Sequence, residues 1–170
     1  YLDKDNQMKY PHQTSWGVST RLIGALIMVH GDDNGLVLPP FVAPIQVVIV
    51  PIQDKQEIVQ QKVNEYENRL KKLGIRVKVD RSDRTPGWKF AEWEMKGVPL
   101  RLEVGPRDIA NGQLVVAKRH DGSKIIIKDN ELENTITTLF KSIHEEMYQK
   151  ALAHLNAHIT LVHSLDELKD

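Results

Sequence analysis

The spacing of hydrophobic residues in the middle of the chain predicts two strands joined by a helix. The Ile/Val-rich run from Ile45 to Val50 is typical of a strand buried on both faces. A capping box over Asp54 to Glu57 predicts the start of a helix, and Gly74 predicts its end. The apolar stripe of this helix consists of Val63, Tyr66, Leu70 and Leu73. The alternating apolar residues of the next strand are Ile75, Val77 and Val79. This order is a βαβ unit, so we expect its strands to be parallel.

The segment that follows predicts a further helix, a strand and a hairpin. A short helix is expected from Trp88 to Lys96, and a strand from Pro99 to Val104. The apolar runs from Gln113 to Ala117 and from Ile125 to Ile127 flank a polar turn, which predicts an antiparallel hairpin. The fold class is therefore predicted to be α/β, with a mixed β-sheet flanked by helices.

A long helix is predicted after the hairpin. Asn130 and Glu133 have the spacing of a capping box at its start. Its apolar stripe is formed by Leu132, Ile136, Leu139, Ile143, Met147, Ala151 and Leu155. A strand is then expected from Ile159 to Val162, which would make the C-terminal piece α+β.

The segment from His12 to Pro40 predicts a polar, strand-like stretch followed by an amphipathic helix. Ser19 and Thr20 offer hydroxyls that cap the helix, Arg21 stands at its start, and the helix is expected to end near His30. The free N–H groups and dipole of such a helix favour an anion, and a guanidinium there can stack on a base or fork onto a phosphate. On the residues alone, the same pattern is equally compatible with a packed helix whose arginine only reaches the solvent.

Composition and charge narrow the class of protein. The 170 residues are 41% hydrophobic and include no cysteine, which excludes disulfides and thiolate metal sites and agrees with a cytoplasmic protein. There is no apolar run of membrane-spanning length. The net charge is zero, but residues 69–128 hold 15 Lys/Arg against 7 Asp/Glu, whereas both flanks are acidic. We expect one continuous positive face that binds phosphates, although lysines scattered over several faces would give the same count.

Aromatic and charged residues alternate between Pro86 and Asp108, a mixture that suits single-stranded RNA. An unpaired guanine presents N–H donors that a carboxylate accepts, while its O6 and N7 accept from Arg or Lys and its face stacks on an aromatic ring. The plain alternative is that Phe90 is a core residue and that Glu94 and Arg101 form an ordinary surface ion pair.

The wording of the N-terminal segment resembles a known family. The segment reads Ser-Trp-Gly before Ser-Thr-Arg, followed by His30-Gly31-Asp32-Asp33 and the stretch from Gly35 to Pro40. This pattern is similar to motif 3 of class II aminoacyl-tRNA synthetases. Within that class it is similar to prolyl-tRNA synthetases of the archaeal and eukaryotic-like type. The predicted element order resembles the anticodon-binding domain of class IIa synthetases. The resemblance implies a catalytic-domain remnant with motif 3 in residues 1–40, an anticodon-binding domain in residues 41–130 and the start of a C-terminal extension in residues 131–170.

The resemblance also implies roles for individual residues. The ATP-binding residues would be Ser19, Thr20 and Arg21. The anticodon-binding residues would be Phe90, Glu94, Arg101, Asp108 and Lys124. Proline codons start with two cytosines, so two anticodon bases of tRNA(Pro) are guanines.

For the full-length enzyme, the resemblance implies a homodimer that uses ATP and Mg²⁺ to activate proline and then transfers it to tRNA(Pro). Motifs 1 and 2 have no match in this sequence, so the chain resembles a fragment. We expect it to be inactive alone, with no catalytic residue, no metal ligand and no cofactor of its own. His154 and His158 are four residues apart, but no cysteine accompanies them, and a packed or solvated helix face is the better interpretation.

Three alternatives stay open at this point. The chain could be a free-standing RNA-binding module that shares the anticodon fold without catalysis, or an interaction domain that binds protein. Within the enzyme class, a fragment of a threonyl- or glycyl-tRNA synthetase is the nearest rival.

Overall fold

A five-stranded mixed sheet lies at the centre of the computed structural model, which describes residues 1–53, 56–164 and 166–167. The elements along the chain are α1 (Arg21–His30), β1 (Val47–Pro51), α2 (Glu57–Lys72), β2 (Val77–Val79), α3 (Pro86–Met95), β3 (Leu100–Val104), α4 (Pro106–Ala110), β4 (Gln113–Lys118), β5 (Lys124–Lys128) and α5 (Leu132–Ala157). The strand order is β2-β1-β3-β4-β5, in which β1 runs parallel to β2 and β3 while β4 runs antiparallel to β3 and β5. The predicted βαβ unit, hairpin and mixed sheet are confirmed.

One face of the sheet packs on α2 and on the first half of α5. Their side chains join those of all five strands in a single buried cluster that includes Val47, Ile49, Val63, Tyr66, Leu70, Leu100, Leu102, Leu114, Ile136, Ile143 and Met147. Phe140 is also buried there, although the predicted stripe passed over it, and Leu73 and Leu155 are exposed despite being predicted in their stripes. Leu73 is the C-cap residue of α2 and Leu155 lies in the last turn of α5, so helical spacing alone did not place them correctly.

The opposite face of the sheet is covered only in part. Helix α3 packs on β1, where Val48, Val50, Trp93 and Val98 form a second small core. Beyond α3 the sheet register aligns two rows of side chains on this face. The first row is Arg101, Ala117 and Lys124, and the second row is Glu103, Val115 and Ile126. Lys124 is exposed and Ile126 is 66% exposed, so the part of this face over β4 and β5 is open to solvent. We call it the open face.

One predicted helix start differs from the structure. A single 3₁₀ turn over Asp129–Glu131 precedes α5, and the Glu133 carboxylate accepts hydrogen bonds from Arg69 instead of capping its own helix. A charged guanidinium is the stronger donor, so the contact between α2 and α5 replaces the capping box. The other capping box falls on Asp54, which lies outside the described residues.

Two predicted strands do not form. Residues 12–19 and 159–162 have no strand structure, and among the described residues they have no neighbouring strand to bond to. An extended segment becomes a strand only when a partner satisfies its backbone groups. The division predicted at residue 131 remains a prediction, but Leu132 and Ile136 already belong to the core of the sheet.

The segment between α1 and β1 is fixed against the end of α3. The Leu36 and Leu38 amides donate to the Met95 and Gly97 carbonyls at 3.0 and 3.3 Å. Gly35 has a φ of +126°, and a Cβ there would lie 2.6 Å from the Met95 carbonyl oxygen, so only glycine allows this approach. The helix that carries Arg21 is thereby attached to the helix that carries Phe90.

None of the helices in the described ranges combines the length and the hydropathy that a membrane span requires.

Candidate nucleic-acid interface

Phe90 and Arg101 meet where α3 borders the open face. Arg101 points from β3 toward α3, and its guanidinium carbon lies 4.2 Å from the centroid of the Phe90 ring. Phe90 is half-buried against the small core under α3, which fixes its ring while one part stays accessible. A planar cation on an aromatic ring is a surface on which a nucleobase stacks. The structure therefore brings these two predicted residues together.

Lys124 joins the same cluster through a residue that sequence reasoning missed. The Lys124 Nζ lies 5.5 Å from the Phe90 centroid and 2.8 Å from the Glu103 Oε1. Arg101 donates to the same Glu103 oxygen from Nε at 3.2 Å and from Nη2 at 3.0 Å. Glu103 thus holds both cations beside the ring. Its only signal in the sequence is a carboxylate in an apolar strand, two residues after Arg101 and hence on the same face.

Glu94 lies on the other side of Arg101. Both residues line a small, partly open cavity of about 70 Å³, together with Trp93, Arg119 and Gly122. In the described part of the chain the Glu94 carboxylate has no hydrogen-bond or ion-pair partner, whereas its carbonyl accepts from the Arg119 Nε at 2.8 Å. The expected alternative of a simple Glu94–Arg101 ion pair is not formed. An acceptor and a donor therefore face the same space.

A buried carboxylate fixes the rotation of α3 about its axis. Asp80, which follows β2, accepts from the Trp93 Nε1 at 2.7 Å and from the Ser82 Oγ at 2.7 Å. The buried Lys89 donates to the Asp80 carbonyl at 3.4 Å. Burial acts to raise the pKa of Asp80, but these hydrogen bonds and the Lys89 charge hold the pKa below its usual value. Lys89 and Trp93 point into the protein, so the next positions on the helix, Phe90 and Glu94, face the site.

Asp108 is separate from this cluster. It lies on α4, beyond the end of β3, and its side chain accepts a long hydrogen bond of 3.5 Å from Gln113. No hydrogen bond or ion pair joins it to Phe90, Glu94, Arg101 or Lys124 among the described residues. If it contacts the same RNA, it contacts another nucleotide.

The predicted nucleotide residues lie at the start of α1, and all three are exposed. The Ser19 Oγ accepts from the Arg21 amide at 3.4 Å, while Thr20 takes the N-cap position without a side-chain hydrogen bond. The Arg21 guanidinium has no hydrogen bond or ion pair to the described residues. Helix α1 has no fully buried residue, which contradicts the alternative of a packed helix within this chain.

The basic residues do not form the single positive face that the charge count predicted. Arg69 lies between α2 and α5, where it binds Glu133 and Asp129, whereas Arg101 and Lys124 lie across the sheet from it. Arg76 donates to backbone carbonyls before β1, and Arg119 binds Asp32. Most of these cations have partners in the fold, so a count along the sequence overestimated the free charge. Arg101 and Lys124 do lie together beside Phe90, and we call these three residues with Glu94 and Glu103 the Phe90 cluster.

Two groups of residues that include histidine have side chains of the kind that bind metals, and both make contacts with other protein atoms. Ligand atoms of His120, Asp121 and Glu146 lie within 4.8 Å of one another, but the His120 Nε2 already bonds to Glu146 at 2.6 Å and Asp121 pairs with Lys118. The His158 Nδ1 contacts the His154 carbonyl at 2.7 Å, so of the two His158 ring nitrogens only Nε2 is left as a possible ligand atom. Both groups are explained by contacts between protein atoms.

The comparisons with known proteins identify the family of this fold. A family model described as the anticodon binding domain matches residues 46–139, which is more than half of the chain. The chain belongs to the anticodon-binding domain family. The matched residues include the whole sheet, α3 and the beginning of α5, and so every member of the Phe90 cluster.

The relatives of this anticodon-binding domain are proline–tRNA ligases. The protein from Clostridium novyi is 55% identical over all 170 residues, and that from Phytoplasma australiense is 51% identical over the same length. The prolyl-tRNA synthetase from Cryptosporidium parvum, solved in complex with L-proline and AMP, matches 98% of this chain with a TM-score of 0.90 and 47% identity. The predicted family and fold are confirmed. The chain spans about a third of the length of these relatives, since it covers 35–37% of each.

Proposed function

We propose that this chain is part of a proline–tRNA ligase and that its open face binds the anticodon of tRNA(Pro). The observation that carries the proposal is the convergence of an aromatic ring, two cations and an unpaired carboxylate within one cluster at the edge of α3. The similarity to proline–tRNA ligases over the whole chain supports the choice of tRNA.

The cluster offers what a guanine requires. In our proposal Glu94 accepts from the N1–H and N2–H groups of the base, and Arg101 donates to O6 and N7. Phe90, with Arg101 on its ring, supplies the stacking surface. Lys124 is exposed beside them and contacts the same nucleotide, and Asp108 contacts a different nucleotide of the anticodon loop.

The whole enzyme is proposed to be a cytoplasmic homodimer that activates proline with ATP and Mg²⁺ and then charges tRNA(Pro). Ser19, Thr20 and Arg21 would contact ATP, where the exposed guanidinium stabilises charge on the phosphates. Residues 9–31 contain no Asp or Glu, so this segment offers no carboxylate ligand for Mg²⁺. We therefore assign the metal to no residue of this chain and expect no catalysis from the chain alone.

The test is a titration of two RNA stem-loops, one with the two anticodon guanines and one with both guanines replaced, at one fixed salt concentration. Each good bidentate base contact discriminates by about 1–3 kcal/mol. Glu94→Ala or Arg101→Ala should therefore weaken binding of the guanine stem-loop by about 5- to 150-fold. The stem-loop in which both guanines are replaced should bind weakly to the wild type, and either substitution should leave its affinity nearly unchanged.

Arg84→Ala is the matched control, because Arg84 also lies over an aromatic ring, that of Trp88, at 4.9 Å but does not line the cavity. It should affect both stem-loops to the same small extent. Equal weakening of both stem-loops by Glu94→Ala and Arg101→Ala would show that these residues contact the backbone or only support the fold.

A further inference from the structure

We infer that Glu103 is a specificity-determining residue of the RNA site: it orients Arg101 for a base edge and neutralises cations that would otherwise bind any phosphate. The inference rests on the proposed function of the open face. It concerns a residue that contacts the protein cations and not the RNA.

The hydrogen bonds to Glu103 use one edge of the Arg101 guanidinium. Nε and Nη2 both donate to the Glu103 Oε1, at 3.2 and 3.0 Å, while the ring of Phe90 covers one flat side of the same group. The edge formed by Nη1 and the second hydrogen of Nη2 has no partner among the described residues. Two parallel donors on that edge match the O6 and N7 acceptors of guanine. Glu103 therefore leaves free the edge that reads the base.

The same carboxylate balances two positive charges. Lys124 Nζ lies 2.8 Å from Oε1 and 3.1 Å from Oε2, so each oxygen of Glu103 has a cationic neighbour. The Glu103 side chain is only 9% exposed, whereas Lys124 is half exposed. An incoming phosphate must compete with a charge that is already in place, whereas a guanine edge uses donors that Glu103 does not occupy. The carboxylate thus penalises backbone contacts more than base contacts.

The position of Glu103 in the sheet argues against a purely structural role. In the strand register its neighbours are Val50 on β1 and Val115 on β4. An apolar residue would continue that row, and replacement of a buried ion pair by apolar side chains often leaves stability unchanged or higher. Burying a charge at this place costs desolvation free energy. We take the contacts with Arg101 and Lys124 as the reason for a charged residue here.

The experiment compares wild type, Glu103→Gln and Glu103→Ala in titrations with three stem-loops: the guanine form, a form with 7-deazaguanine, which lacks the N7 acceptor, and a form with the guanines replaced. For the wild type, loss of N7 should weaken binding by about fivefold or more. In Glu103→Ala this penalty should shrink at least by half, because Arg101 loses both hydrogen bonds that orient it. In Glu103→Gln it should shrink less, because the amide oxygen still accepts from Arg101 although the charge is gone. Binding of the replaced stem-loop should become several-fold tighter, with a salt dependence steeper by about one unit of slope.

Glu92→Gln is the control, because Glu92 also pairs with a lysine, Lys96, on α3 but lies outside the cluster. It should change neither the 7-deazaguanine penalty nor the salt slope, and thermal melting identifies any variant that fails to fold. Unchanged discrimination and unchanged salt slope in a folded Glu103→Gln would overturn the inference. Absence of guanine preference in the wild type would reject only the base-reading part of the proposed function, since the tighter binding and steeper slope still test the neutralising role of Glu103.

Discussion

At the scale of single residues, the sequence identified most of the aromatic and charged side chains of the cluster but not the pairs they form. Phe90, Arg101 and Lys124 were predicted separately, and the structure places both cations within 6 Å of the ring. Glu103 was missed because a lone carboxylate in an apolar strand has no motif, and only the strand register shows that it lies between two cations. Asp108 shares the motif wording with the others but not their location.

Phe90 provides the clearest prediction at this scale. Stacking of a base on an aromatic side chain contributes about 1–3 kcal/mol when measured by substitution. Phe90→Leu keeps the apolar contact with the core under α3 but loses the ring, so the affinity for the guanine stem-loop should fall by about 5- to 150-fold. Phe90→Tyr keeps the ring and should bind nearly as well. The comparison is made by fluorescence titration of the two variants. Trp88→Leu serves as the control, because the cation over the Trp88 ring is Arg84, whereas Arg101 and Lys124 lie over Phe90. Equal affinity of Phe90→Leu and wild type would rule out stacking on Phe90.

At the scale of elements, hydrophobic periodicity correctly predicted the helices and strands that contacts with distant parts of the chain did not alter. The βαβ unit and the hairpin formed as expected because their apolar residues pack on a single core. The stretch that starts at His12 and residues 159–162 were predicted to be strand-like from their residue pattern, but a strand depends on a neighbour that local sequence does not specify. The capping box at Glu133 failed for a related reason, since Arg69 comes from an element distant in sequence.

The contact between the segment after α1 and the end of α3 gives a prediction with a defined pH range. Asp32 accepts hydrogen bonds from both terminal nitrogens of Arg119, at 2.7 and 2.5 Å, and Arg119 also donates to the Glu94 carbonyl. The hydrogen bonds from Arg119 lower the pKa of Asp32 from 3.8 to about 2. Because the pKa is lowered on folding, the ion pair stabilises the fold fully above pH 3.8, and this contribution is lost as the pH falls toward 2.

The measurement is an NMR titration of the Asp32 carboxyl carbon in wild type and in Arg119→Gln. The pKa should be about 2 in the wild type and should return toward 3.8 in the variant. A titration of Asp32 near 3.8 in the wild type would show that the Asp32–Arg119 ion pair does not form in solution.

At the scale of the whole molecule, the two faces of the sheet have different roles. One face is closed by α2 and α5 and holds the main core, while the other is only half covered and presents the Phe90 cluster. The excess of Lys and Arg in residues 69–128 did not predict this division, because charges such as Arg69 and Arg76 are used within the fold. The resemblance predicted the family, and the register of the strands shows which side chains share the open face.

The central claim is that RNA binds the open face beside α3, and backbone NMR mapping with the guanine stem-loop tests it most directly. We expect the largest amide shifts at Phe90, Arg101 and Lys124, with little change along the exposed side of α2. Helix α2 also carries cations, among them Lys71 and Lys72, so it is a fair competitor for phosphate. Shifts concentrated on α2 or along the β2 edge, with the amides around Phe90 unchanged, would contradict the account.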